Sequence, residues 1–516
     1  MDFFDKGVER DAARPCLIHG RESRSYGEVQ RSSYRIAHAL RRARIGAGAG
    51  VAVLAHNGAR AFECVLGALR AGCAWIPINA RNTIDETAFV LGRTDAAVLF
   101  YSADFSAQIG AIVDRCPRIT LAVRIEADGI DDALSLEAFL SGASEGVFTP
   151  TIEADSLATL ACSGGTTGTP KGVLTTHRTW AFRIAEVMQR LAHPDPVHLV
   201  AAPMTHGAGA GALELMAMGA THVMLHGFDP AAVIEAIGAH RVSHMFLPPT
   251  ALYRLLADPR ISQGDFTSLR YLICGGSPIA PDRLRQALEV FGPAMHFGYG
   301  GTEMGGGVCW RTGQEMLEAI AEGAEERLAS CGRPSPLVRV DILNDAGEVL
   351  PPGEAGELVV TGYNLAQGYY KDDPETRRSF RNGGFHTGDI GFKDDQGRVY
   401  VSDRKKDMII SGGLNIYPSE IEGVLLAHPG VQDCAVVGLP DPYWGEAVTA
   451  VMEPKDVDAG IDMPALEAAC RAALPGYKVP KAFYVWPALP RSPVGKVLKR
   501  AIRETLATPA QKMAIG

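Results

Sequence analysis

The run Ser163-Gly-Gly-Thr-Thr-Gly-Thr-Pro-Lys-Gly172 constrains this chain more than any other stretch. Before it, Leu157-Ala-Thr-Leu-Ala-Cys162 reads as a buried strand, and after it Val173-Leu-Thr-Thr176 reads as a second. A glycine-rich turn between strands leaves backbone N–H groups free to converge on an anion, because no Cβ blocks the approach. The hydroxyls of Ser163, Thr166, Thr167 and Thr169 add donors, and Lys171 adds a mobile positive charge suited to phosphate. A Walker A loop does not fit, since Lys171 follows proline and precedes glycine. The competing reading is an ordinary glycine turn. The composition favours a grip on nucleotide phosphates.

At 516 residues the chain exceeds one hydrophobic core and predicts at least two domains. A net charge of −9 argues against a nucleic-acid binder. Ten cysteines without a C-x-x-C pair signal neither a zinc site nor a disulfide framework. The start, Met1-Asp-Phe-Phe-Asp-Lys6, lacks the basic and apolar regions of a secretory signal, and no apolar run reaches the length of a membrane span. Met513-Ala-Ile-Gly516 is not a peroxisomal address, so a cytoplasmic location is the expectation.

Taken in order, Ser25-Tyr-Gly-Glu28 is a capping box opening a helix with Val29, Ile36, Ala37 and Leu40 on one face. Strand-like Val51–Leu54, a helix bearing Phe62, Val65, Leu66 and Leu69, and strand-like Ala96–Phe100 follow. Such alternation predicts an α/β fold with a mainly parallel, covered sheet. From Leu157 the alternation resumes, through His198–Ala202, Thr221–Leu225, His244–Leu247 and Tyr271–Ile273, and reads as a second layer stacked on the first. Between Val338 and Val401 alternating residues and proline–glycine turns read as a small β-rich subdomain. Beyond it lies an α+β segment of roughly a hundred residues, enough for a small domain. The expected division is residues 1–403 and 404–516.

Four further stretches accompany the loop: Pro203-Met-Thr-His-Gly-Ala-Gly209; Tyr299-Gly-Gly-Thr-Glu303; Thr387-Gly-Asp389 with Asp403-Arg-Lys-Lys-Asp407 and Ser411-Gly-Gly-Leu-Asn-Ile-Tyr-Pro418; and Pro493-Val-Gly-Lys496. Together and in this order they resemble the adenylate-forming superfamily of acyl-CoA synthetases, peptide-synthetase adenylation domains and luciferases, most of all bacterial fatty-acyl-CoA ligases. The resemblance runs from about Tyr26 to about Arg503. It implies ATP, Mg²⁺ and coenzyme A as cofactors and a small-molecule carboxylic acid as substrate. The acid would be activated as acyl-AMP and then passed to the CoA thiol.

The resemblance also assigns residues. Ser163, Gly164, Gly165, Thr166, Thr167, Gly168 and Lys171 would bind ATP phosphates, and Gly275, Gly276 and Ser277 would flank the adenine. Tyr299 and Gly300 would lie on the adenine face, Thr302 on the α-phosphate, and Glu303 on the metal, a hard ion that takes oxygen ligands. Asp389 would accept from the ribose hydroxyls, with Arg404 on ribose or phosphate. A surface salt bridge is the alternative for that pair. Lys496 would bridge the acid and the α-phosphate as a protonated clamp. His206 would gate or line the acyl pocket with Gly207, Gly209, Gly300, Gly301, Gly305 and Gly306, glycines that suggest room. Met204–Leu213 carries no aspartate to pair with a substrate amine, so an apolar acid, fatty or ring-bearing, is expected. Ser411, Gly412, Gly413 and Lys478 would line the CoA tunnel, and Asp403 would be the hinge on which the small domain rotates. Competing functions are an adenylation enzyme loading a carrier protein, a luciferase-like oxygenase and a nucleotide-binding regulator without turnover. The sequence does not set oligomeric state.

Overall fold

The computed structural model describes every residue except 127–132, 164–169, 493–494 and 508–516, together with the side chain of Asn415. Two large sheets make up the N-terminal part. The first has six strands in the order Leu121–Arg124, Ala96–Tyr101, Gly50–Leu54, Ala74–Ile78, Leu157–Cys162 and Gly172–Thr176. All but the last pair are parallel, and Gly50–Leu54 is buried along its whole length. The second has nine strands. Its parallel centre runs Met295–Gly301, Tyr271–Gly275, His244–Leu247, Val197–Val200, Thr221–Met224 and Pro15–His19.

The expected break at Leu157 is not where the layers divide. Leu157–Cys162 and Gly172–Thr176 complete the first sheet, while Pro15–His19 and Glu22–Ser25 cross over to edge the second. Hydrophobic alternation identifies an element but does not name its hydrogen-bonding partner. The two sheets stack through a shared apolar layer. Val53, Phe62 and Leu66 from one side and Val200, Met204 and Met216 from the other belong to one continuous buried cluster. The predicted capping box is formed: Ser25 Oγ accepts from Glu28 N at 3.3 Å, and Glu28 Oε2 accepts from Ser25 N at 2.7 Å.

A third, antiparallel sheet of five strands contains Val338–Leu343, Gly356–Gly362, Gly384–Lys393, Phe380–Arg381 and Val399–Arg404, as the β-rich texture suggested. After Arg404 the chain enters a fourth sheet, built on the long hairpin Val431–Asp441 and Gly445–Pro454. This C-terminal part has its own core around Ile421, Val436, Val448 and Leu466. No helix among the described residues is long and apolar enough to cross a membrane.

In the nine-stranded sheet the chain goes from Val197–Val200 to its neighbour on one side, then to His244–Leu247 on the other. The carboxyl ends of these two strands border a topological switch point, where open α/β sheets leave a crevice for ligands. Pro203–His206, Pro248, Gly276–Ser277 and Thr302–Glu303 all follow the carboxyl ends of adjacent strands.

Candidate active site

The base of the glycine-rich loop is closed by Ser163 N donating to Lys171 O at 2.8 Å, above the paired residues Cys162 and Gly172. Gly164, Gly165, Thr166, Thr167 and Gly168 lie outside the described residues. Lys171 Nζ sits 2.5 Å from Glu375 Oε1 and 5.0 Å from the centre of the Tyr369 ring. The same tyrosine donates its Oη to Glu303 Oε1 at 3.2 Å, so the loop lysine and Glu303 share one neighbour.

Asp389 is buried. Its Oδ2 accepts from Tyr299 Oη at 2.6 Å, and its Oδ1 lies 2.6 Å from Arg404 Nε. Strand pairing explains the last contact, since Asp389 stands directly opposite Arg404 in the third sheet. Burial raises the Asp389 carboxyl above its ordinary range, against the pull of Arg404. Burial also holds the Tyr299 phenol well above its usual value, so it stays a donor.

Lys496 comes from the C-terminal part. Ser492 N donates to Lys496 O at 2.8 Å, closing the turn that carries it, and Arg491 bridges to Val497. Gly495 in that turn meets the N-terminal part, where a Cβ would stand 3.4 Å from Thr250 Oγ1. Burial holds the Lys496 ammonium below the ordinary lysine range; Arg404 pushes the same way, and Asp389 and Glu303 oppose it. Lys496 therefore lies near Arg404, Asp389 and Glu303. Asp403, next to Arg404 in the chain, accepts from Ser419 N at 2.8 Å while its own residue pairs with Ile390, so it ties the third sheet to the helix Pro418–Leu426.

His206 caps the helix Gly207–Leu215, and its Nδ1 lies 3.0 Å from Thr205 Oγ1. The imidazole is exposed to solvent, yet protein atoms crowd around it. That crowding, with Lys496 and Arg81 nearby, lowers its pKa and keeps it neutral at pH 7. The reading of the glycines as room needs correction. A Cβ on Gly209 would overlap the Met204 carbonyl oxygen, on Gly300 the Gly306 carbonyl, and on Gly305 the Asn364 carbonyl. These three are occupied by backbone. Gly207, whose Cβ would stand 2.8 Å from the Phe246 ring, and Gly306, against Arg183, face side chains instead. A Cβ on Gly301 would meet the ends of two side chains, Met304 at 3.1 Å and Glu303 Oε2 at 3.7 Å.

Arg183 and Glu214 were missed by the sequence reading. Arg183 Nε and Nη2 both donate to Glu214 Oε1, at 2.9 and 2.7 Å. Glu214, the single charged residue of the helix Gly207–Leu215, was the available signal, and it stands one residue beyond Met204–Leu213.

On the C-terminal part, Gly412 and Gly413 have φ of +59° and +78°, and Gly412 N donates to Trp444 O at 2.7 Å. Ser411 is buried beneath them, whereas Leu414, Tyr443 and Trp444 are exposed. Lys478 pairs with Glu420 at 2.6 Å. Both glycines are exposed, whereas Lys496 is partly buried near Asp389 and Glu303.

The AMP-binding enzyme family model matches residues 4–370, and that for the AMP-binding enzyme C-terminal domain matches residues 420–496. A feruloyl-CoA synthase of Amycolatopsis sp is 36% identical over 491 residues, covering 95% of both chains. The amide bond synthetase McbA from Marinactinospora thermotolerans superimposes with a TM-score of 0.88 at 28% identity, over 98% of this chain and 99% of that one. The o-succinylbenzoate CoA synthetase MenE from Bacillus subtilis, in complex with ATP and magnesium ion, gives a TM-score of 0.85 at 27% identity, over 98% and 99%. The chain belongs to the AMP-binding enzyme family and is an adenylate-forming ligase.

Proposed function

We propose that the protein is an AMP-forming acyl-CoA ligase acting on a mainly apolar acid, in the cytoplasm where ATP and CoA are found. The observation that carries this reading is the nearness of Lys496 to Glu303 and to the buried Asp389, itself held by Tyr299 and Arg404, while the Gly412–Gly413 turn is exposed. A carboxylate oxygen attacks the α-phosphorus of ATP, the bond to the β-phosphate oxygen breaks, and pyrophosphate leaves. Negative charge builds on the α-phosphoryl oxygens, where the Lys496 ammonium and the Thr302 hydroxyl stabilise it. Preorganised donors aimed at developing charge are the largest source of catalysis in such sites. Asp389 takes the ribose hydroxyls, Tyr299 packs beside the adenine with Gly275, Gly276 and Ser277, and Lys171 leaves Glu375 for the polyphosphate.

Mg²⁺ fits the donor set, because Glu303 offers a carboxylate whose second oxygen is not used by Tyr369. The ion, when bound, neutralises phosphate charge. In the second half-reaction the CoA sulfur attacks the carbonyl carbon, the bond to AMP breaks, and the thiol proton passes to water. For that step the C-terminal part, residues 404–516, turns about Asp403, withdrawing Lys496 and presenting Ser411, Gly412, Gly413 and Lys478 to the pantetheine arm. Tyr443 and Trp444, now exposed, gain cover in that pose. The test is a panel of acids assayed for AMP and pyrophosphate, with and without CoA. Release of ADP and phosphate would overturn the reading, and thioester formed only on a carrier protein would replace CoA as acceptor.

A further inference from the structure

We infer that the Arg183–Glu214 pair is a specificity determinant that selects a ring-bearing acid with a hydroxyl group at the end remote from its carboxylate. The inference rests on the ligase reading and names its acid. Glu214 stands on the helix that His206 caps, and Arg183 stands beside the hairpin that carries Thr302. Glu214 lies eight residues along the helix that His206 caps, which at 1.5 Å per residue is about 12 Å deeper. Arg183 comes from the neighbouring helix His177–Arg190 and lies against the backbone of Gly306, where a Cβ would stand 3.3 Å from its Nε. Gly306 pairs with Gly301, next to Thr302, so the strand joins the reacting end to the pair.

Both side chains are mostly covered, at 15% and 14% exposure. Their hydrogen-bonding capacity is incompletely used. The two guanidinium donors converge on Oε1 alone, and among the described residues no donor reaches Glu214 Oε2. An ionised carboxylate oxygen accepts but cannot donate, so it recruits a hydroxyl from the ligand. Nη1 of Arg183 remains to donate to an oxygen beside that hydroxyl. An alkyl terminus pressed here would strip water from an ion pair and return no hydrogen bond, which is unfavourable. The walls suit a flat ring: Gly207 faces the Phe246 ring, and Arg183 is itself stacked 4.2 Å from Trp180.

The experiment compares kcat/KM for para-hydroxycinnamate, cinnamate and decanoate, read as acid-dependent AMP release with CoA present. The wild type should favour para-hydroxycinnamate over both others by at least about tenfold, the scale of one hydrogen bond to a charged group. Arg183→Leu with Glu214→Leu removes both charges together, the change a partly buried pair tolerates best. In that double variant the preference should vanish and decanoate should gain. Glu214→Gln should narrow the hydroxyl preference while keeping a melting temperature close to wild type, because its amide oxygen still accepts from Arg183 and a neutral N–H replaces the charged acceptor facing the hydroxyl. Equal use of cinnamate and para-hydroxycinnamate by the wild type would overturn the inference, as would an unchanged ratio in folded variants. Absence of AMP release with every acid would instead sink the ligase reading.

Discussion

Tyr299 Oη donates a 2.6 Å hydrogen bond to Oδ2 of Asp389, and Arg404 Nε holds the other carboxylate oxygen at 2.6 Å. The carboxylate is buried while the guanidinium is 48% exposed. A buried acid with so few donors is costly to the fold, and its raised pKa reports that cost. The sign follows directly. A carboxyl whose folded pKa lies above its unfolded value destabilises the fold while ionised, and the cost eases as pH falls through the folded pKa.

Asp389→Asn should therefore leave the melting temperature at pH 7 unchanged or raised, while nucleotide binding suffers. Loss of hydrogen bonds from a charged acceptor costs about 1.5–3 kcal/mol, roughly ten- to a hundredfold in KM for ATP. Thermal denaturation and ATP-dependent pyrophosphate exchange read the two effects separately. A variant that melted far lower and bound ATP normally would make Asp389 a structural residue.

The second expectation concerns pH. Burial lowers the Lys496 pKa, so its ammonium is lost at a lower pH than a free lysine would require. Adenylation should decline on the alkaline side as pH rises through that value, since the clamp works only when charged. Lys496→Ala should be slower by about 10² to 10³ at neutral pH and should lack that alkaline decline. An identical alkaline limb in wild type and variant would assign it to another group.

A third test separates glycines that look alike in sequence. Gly300→Ala would drive a methyl into the Gly306 carbonyl and spread the hairpin that carries Thr302, whereas Gly301→Ala meets only side-chain ends, Met304 at 3.1 Å and Glu303 Oε2 at 3.7 Å. Overpacking of this kind costs about 1–3 kcal/mol. Gly300→Ala should lower both melting temperature and adenylation, and Gly301→Ala should keep its melting temperature. Similar melting of the two variants would mean that the hairpin yields more easily than its close contacts suggest.

Those glycines mark where sequence reading stopped. The strands His244–Leu247 and Leu157–Cys162 were legible to the residue, because apolar runs between turn signals name an element directly. The motif residues Glu303, Asp389 and Lys496 were named from the sequence, and the fold brings them near one another. Which sheet a strand joins was not legible, as Pro15–His19 shows, because parallel pairing is set by packing between distant segments. Nor does a glycine say whether its missing side chain leaves space for a ligand or for backbone. Arg183 and Glu214 meet across 31 residues, and nothing in either helix alone announces the partner.

The last expectation separates the two half-reactions. Lys496 lies near Asp389 and Glu303, whereas Gly413 lies on an exposed turn whose neighbour Gly412 is hydrogen-bonded to Trp444. If the C-terminal part turns about Asp403 between steps, each residue serves one step only. Lys496→Ala should fail to make acyl-AMP yet convert preformed acyl-AMP and CoA to acyl-CoA at a near-normal rate. Gly413→Leu should make acyl-AMP and transfer it poorly. Among the described residues nothing stands within 4 Å of a Cβ at Gly413, and its φ of +78° sets the main penalty. That strain is about 1–2 kcal/mol for an L-residue, which a separate domain core can bear. Melting curves establish that both variants are folded, and rapid-quench assays started from ATP or from acyl-AMP read each step. Equal damage to both steps in each folded variant would mean one fixed arrangement of the two parts, and the rotation would be wrong.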